Sequence, residues 1–244
     1  ESNKDLWPAF IRDAVTPAAK KYGLEAKIDE DGAVSQLRAA VISRLGFDGE
    51  DQNVINKAKE QTQVYLTNPQ KVDPYLAGVY LRLAAFHGDK ALLDQFMTTF
   101  KTTKDPQVRT NMLAAMGFFG ESELQNAVLA YSLTDEVTAS DMRTILSGQS
   151  YTEERQALFI DWVYNNYDKV TASLPPFFIP NLPYFTTVGC DAKSLATTQN
   201  FFNDKISEVP GYSRTLSKLE ESTLDCIALK KRELDSVNSF LNSK

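Results

Sequence analysis

Apolar residues recur along this chain at the spacing of one helix face. Leu37, Ala40, Val41 and Leu45 fall at i, i+3, i+4 and i+8, and Leu76, Val79, Tyr80 and Leu83 form a second stripe of the same kind. Near the end of the chain Leu219, Thr223, Cys226 and Ile227 begin a stripe that Leu234, Val237 and Leu241 extend. No clean stretch alternates with the period of two that a half-buried strand needs, so an all-α fold is predicted. The pattern predicts helices over residues 5–22, 33–45, 51–66, 74–86, 89–101, 106–118, 121–133, 138–147, 152–170, 192–207 and 212–241.

The punctuation between these helices repeats. "LGFDGED", "AFHGDKA" and "FFGESEL" each set an aromatic residue beside a glycine and follow it with acids. Gly49, Gly88 and Gly120 are predicted to take the left-handed conformation that ends a helix. Asp51, Asp89 or Ser122 would then cap the next helix, where acids suit the helix dipole. "VDP" at 72–74 and "KDP" at 104–106 mark further starts, with proline in the first turn. Two short helices per repeat of roughly 32–47 residues is the signature of an α-α superhelix, a HEAT/armadillo-like stack of antiparallel helix pairs. One pair cannot bury its apolar face alone, whereas a stack can. "LPPFFIPNLPYF", residues 174–185, breaks the pattern with four prolines and reads as a covering loop on the last helices.

Length and charge narrow the partners. A chain of 244 residues suits one large domain or two small ones. A hydrophobic fraction of 43% and a charged fraction of 24% are ordinary for a soluble globular protein. The net charge is −6 and no long run of like charges occurs, which argues against nucleic acid as a partner. Lys230, Lys231 and Arg232 read as a solvated helix face. No apolar run approaches the ~18–20 residues that cross a membrane. The opening "ESNKDLWPAF" has no initiator methionine, basic n-region or apolar h-region, so no signal peptide is expected and the chain reads as a piece of something longer. Cys190 and Cys226 could pair, but two isolated thiols in a large domain are more often reduced, which leaves the compartment open.

The chemical inventory is short. His87, in "AFHGD", is the single histidine, and it reads as a capping or surface residue at a helix C-terminus. A zinc peptidase needs two histidines one turn apart on a helix with a glutamate between them, which this chain cannot supply. No nucleophile elbow and no phosphate-cradling glycine loop occurs. The acidic stretch "SRLGFDGEDQNVINKA" fails as a calcium loop: counted from Asp48, it has Asn53 where glycine is required and Lys59 where the bidentate glutamate belongs. No catalytic residue, metal ligand set or cofactor is therefore expected in this chain.

The order and spacing of many weak motifs carry a resemblance. "LRAAVISRLGFDGEDQNVINKAKEQTQVYL" has a Leu-Arg helix, a short acidic turn and a following helix. The run from "DPYLAGVY" to "VTASD" continues with a Val-Tyr helix ending in glycine and an arginine-bearing helix ending in Ala-x-Gly. "RQALFIDWVYNNYDKV", "NFFNDKI" and "LEESTLDCIALKKRELDSVNSFL" close the series. From Leu37 to Leu241 the chain resembles the C-terminal helical domain of the aminopeptidase N, puromycin-sensitive and endoplasmic-reticulum aminopeptidase family of zinc peptidases. It departs from the family pattern at Leu76, Ser140 and Tyr167.

The resemblance implies that residues 1–244 are a single C-terminal domain of a longer aminopeptidase. The zinc and the catalytic domain would lie upstream. The domain would be a curved bowl that covers the active site, gates and holds peptide substrate, and has that upstream domain as its partner. Arg82, Arg109 and Arg143 are the candidate peptide-binding residues. The alternative is a free-standing HEAT-like protein-interaction module.

Overall fold

The computed structural model describes residues 6–243. Among these, the regular elements are all helical. They are α1 (Leu6–Tyr22), α2 (Gly32–Ser43), α3 (Gln52–Thr67), α4 (Pro74–Phe86), α5 (Lys90–Thr102), α6 (Pro106–Met116), α7 (Ser122–Tyr131), α8 (Ala139–Leu146), α9 (Glu153–Asn165), α10 (Tyr167–Ser173), α11 (Leu182–Phe185), α12 (Ala192–Asn203) and α13 (Gly211–Asn242). The fold is all-α, as the periodicity predicts, and is consistent with an α-α superhelix. The predicted start of the first helix at residue 5 lies outside the described residues. Two compact units form, one up to Leu124 together with the segment from Val237 onward, the other Gln125–Ser236.

In the first unit α4 is the central element. It packs against α2, α3 and α6, and α6 packs in turn on α5. Its burial explains the position: Leu76, Ala77, Val79, Tyr80, Leu81, Leu83, Ala84 and Ala85 are all buried, so the helix is apolar on more than one face. Helix starts follow local chemistry. Asp31, Asp51, Asp73, Asp89 and Asp105 each accept a hydrogen bond from a backbone N–H of the helix that follows. Each such cap contributes about 1 kcal/mol. Proline opens α4 and α6 as expected, whereas Ser122 becomes the first residue of α7.

A buried arginine joins α1 to α2. The Arg38 side chain is fully buried and meets Glu30 through two hydrogen bonds of 2.5 Å. The same guanidinium donates to the Tyr22 carbonyl at 2.8 Å, and its Nε reaches the Gly23 carbonyl at 3.3 Å. The end of α1 and the loop after it are thereby tied to α2, and the ion pair holds the Glu30 carboxyl below its ordinary range.

The glycines behave differently from the expectation. Gly49 has φ −90°, and the left-handed residue of that turn is Glu50 at φ 50°. Gly88 and Gly120 are likewise outside the left-handed region, where the glycines are Gly23 and Gly189. The reason for glycine is space. A Cβ on Gly120 would lie 2.5 Å from the Phe86 carbonyl oxygen, one on Gly88 2.9 Å from that of Ala84, and one on Gly49 2.8 Å from that of Leu45. At Gly120 the carbonyl belongs to the neighbouring turn, whereas at Gly49 and Gly88 it belongs to the last turn of the preceding helix.

The second unit is centred on Phe159, Val163, Val170, Phe202, Tyr212 and Leu216. The predicted helix over 152–170 is split into α9 and α10 at Asn166. There the backbone leaves the helical conformation (φ −122°, ψ 19°), and the Trp162 carbonyl accepts from both the Asn166 N–H at 3.0 Å and the Asn166 side chain at 2.9 Å. The proline-rich stretch packs down as expected, with Leu174 and Leu182 in the core, but it forms a 3₁₀ turn at Ile179–Asn181 and the short α11 rather than a plain loop. Cys190 and Cys226 are joined in a disulfide, with Cα atoms 5.1 Å apart. Packing of the loop before α12 against α13 creates that proximity, which the spacing along the chain does not reveal.

Two outcomes follow from these contacts. Gly120→Ala should lower unfolding stability by about 1–3 kcal/mol, because the methyl group meets a carbonyl that cannot give way; chemical denaturation measures this. Cys226→Ser opens a loop closed over a sequence separation of 36 and should cost about 2–4 kcal/mol. An unchanged urea midpoint for the serine variant would show that the cross-link does not constrain the unfolded chain.

Candidate functional site

The three aromatic–glycine–acid turns come together in the first unit. The Phe47 ring lies 5.6 Å from Phe86 and 5.9 Å from Phe118. Each ring precedes a helix start, so the edge-on and tilted contacts of the rings align the turns and the acids that follow them. Both aspartates of the first turn are committed to structure. Asp48 pairs with Arg44 at 2.8 Å, and Asp51 caps α3 by accepting from the backbone N–H groups of Asn53 and Val54. The segment Arg44–Asp48 is one π-helical turn, closed by Arg12, which donates to the Gly49 carbonyl at 2.6 Å.

Beside the second and third turns lies a cleft of about 360 Å³ lined by Lys59, Thr62, Gln63, His87, Leu92 and Glu121, among others. His87 caps the C-terminus of α4, as its sequence position implies. Its ring stands edge-on to Phe86, with centroids 5.1 Å apart. Burial pushes the imidazole pKa below its ordinary value; Lys59 adds to the shift and Glu50 opposes it. The dipole of α4 alone would favour the cation, so desolvation acts against it and gives the shift its sign. Thr62 is 1% exposed and its hydroxyl has no hydrogen-bond partner among the described residues.

The three candidate arginines are not gathered. The Arg82 guanidinium stands 5.6 Å from the Phe118 ring centroid, beside the clustered turns. Arg109, in the first turn of α6, stacks on Phe100 at 3.8 Å and donates to the Phe100 carbonyl at 3.4 Å. Arg143 is exposed in the last turn of α8, in the second unit. A metal centre does not fit the side chains present: among the described residues no group of three or more His, Cys, Asp or Glu is placed to hold an ion. No described helix is long and apolar enough to cross a membrane.

Sequence reasoning located His87 but missed Lys59, Thr62 and Gln63 beside it. All three lie on α3, and their spacing marks them only as positions on one helix. Residues 1–224 match the protein-family model described as the ERAP1-like C-terminal domain.

His87 makes a pH-dependent contribution with a definite sign. The unfolded imidazole takes up its proton near pH 6.5 and the folded one only at lower pH. Between those values the unfolded state binds more protons, so stability falls as pH drops through the window. Urea unfolding at about pH 7.5 and about pH 5.5 should show a larger loss for the wild type than for His87→Gln. Equal losses would mean that folding leaves the imidazole pKa unshifted.

Proposed function

The chain belongs to the ERAP1-like C-terminal domain family, and from that premise we propose that it is the non-catalytic C-terminal domain of a zinc aminopeptidase. The match over residues 1–224 carries the reading. In it, the zinc and the reacting groups belong to an upstream catalytic domain of the same polypeptide. This chain, a single domain in the parent, covers the active site and limits which substrates enter and how they are held. Its stacked pairs are HEAT-like repeats, and their ends present side chains to the peptide beyond the scissile bond.

Arg82, Arg109 and Arg143 are the peptide-holding residues of this proposal. Arg82 and Arg109 each lie over an aromatic ring, which restricts the guanidinium before a ligand arrives and reduces the entropy lost on binding. A carboxylate or main-chain carbonyl of a peptide is the natural acceptor for such a group.

Two measurements test the reading. The purified chain should release no product from aminoacyl chromogenic substrates; turnover that a chelator abolishes would overturn the non-catalytic role. In the intact parent enzyme, replacing each arginine with alanine should raise KM for long peptides by about 5-fold, the equivalent of roughly 1 kcal/mol, and leave dipeptide-like substrates unchanged. Equal effects on both substrate lengths would remove the arginines from peptide holding.

A further inference from the structure

We propose that the cleft beside His87 binds a small zwitterion, an α-amino acid with an apolar side chain. The cleft, at about 360 Å³, falls in the size range of small-molecule sites. Its lining carries both signs of charge together with apolar surface: Lys59 supplies an ammonium, Asp89 and Glu121 carboxylates, and Ala84 and Leu92 hydrocarbon. Asp89 is already used, since it accepts from the Leu92 N–H to cap α5. Among the described residues Glu121 caps nothing and forms no ion pair, and the Lys59 ammonium and the His87 imidazole have no hydrogen-bonded side-chain partner.

Thr62 is the independent sign of a ligand. A threonine within a helix commonly closes its hydroxyl on the carbonyl four residues back. Thr67, Thr102 and Thr110 do this here at 2.9–3.0 Å. Thr62 lines the cleft, is buried, and leaves its hydroxyl unpaired among the described residues. A buried polar group without a partner costs free energy that a ligand's oxygen recovers.

The arrangement selects against singly charged ligands. A simple carboxylate meets Lys59 but also Glu121, and a simple amine meets Glu121 but also Lys59. An α-amino acid satisfies both: its carboxylate accepts from Lys59, Thr62 and the imidazole N–H, its ammonium donates to Glu121 and the Gln63 side-chain carbonyl, and its side chain covers Leu92 and Ala84. The cleft alone carries this assignment, whatever the parent does. If the parent is an aminopeptidase, this ligand is of the class it releases as product.

The single histidine provides the probe. Its Cε1–H signal in a ¹H–¹³C spectrum of the 244-residue chain reports the cleft without assignment ambiguity. Titration with L-leucine at constant pH should move this signal to saturation, with half-saturation on the order of 1 mM. N-acetyl-leucine and leucinamide, each lacking one charge, should bind at least about 10-fold more weakly. Glu121→Gln and Thr62→Val should each weaken leucine binding about 5-fold, with the helical circular dichroism unchanged. A signal that does not saturate with leucine overturns the proposal. So does a blocked form binding as tightly as leucine, which would mark the cleft as a site for a plain carboxylate or amine, or undiminished binding by a folded Glu121→Gln variant.

Discussion

The first unit depends on one constraint: its turns at Gly88 and Gly120 are packed so closely that neither has room for a side chain. The Phe86 carbonyl oxygen occupies space that a Cβ on Gly120 would need, and Gly88 is closed in by the Ala84 carbonyl, Leu92 and Phe119. This close approach brings successive turns into contact and lets Phe47, Phe86 and Phe118 meet as rings. The helices attached to these turns are then aligned by their starting points.

That alignment has a chemical consequence at His87. The residue ends α4, the most enclosed helix of its unit, and faces a cleft that α3 and the starts of α5 and α7 complete. Without the stack, Lys59 and Glu121 would be unrelated surface charges separated by many residues. With it, they flank one half-buried imidazole and one buried hydroxyl. Mixed charge at a site that also presents hydrocarbon favours a ligand that is itself dipolar and amphipathic, and this distinguishes the cleft from the singly placed arginines.

The remaining ties between elements are polar or covalent. Arg38 satisfies its guanidinium with one carboxylate and two main-chain carbonyls, so its burial leaves little unpaired. In the second unit the Cys190–Cys226 bond links the approach to α12 with α13. Buried Arg155, with its pKa pushed down to about 10 by desolvation, donates to the Gly148 carbonyl at 3.2 Å.

Periodicity and cap chemistry make the helices legible in the amino-acid sequence, because both act over a few residues. The stripe through Leu76, the aspartates before Pro74 and Pro106 and the aspartates after Gly49 and Gly88 specify α3 to α6 almost residue by residue, whereas the stripe through Leu37 misplaces the buried face of α2: Leu37 and Ala40 are exposed, and Ser35, Arg38, Val41 and Ile42 are buried. The break at Asn166 is hidden in the pattern, since an apolar stripe continues across it and only the backbone angles of one residue depart from the helix. The role of Gly120 is hidden for a related reason: sequence shows that a turn needs glycine, but conformational freedom and lack of space leave the same letter. His87 is visible as a solitary histidine, whereas Lys59 and Thr62 become its neighbours only through packing of α3 on α4. The sequence by itself thus determined most of the helices, the caps that start them and the family resemblance, which depend on local spacing. Tertiary structure alone decided the disulfide, the stacked turns and the cleft, because each requires residues distant in the chain to meet.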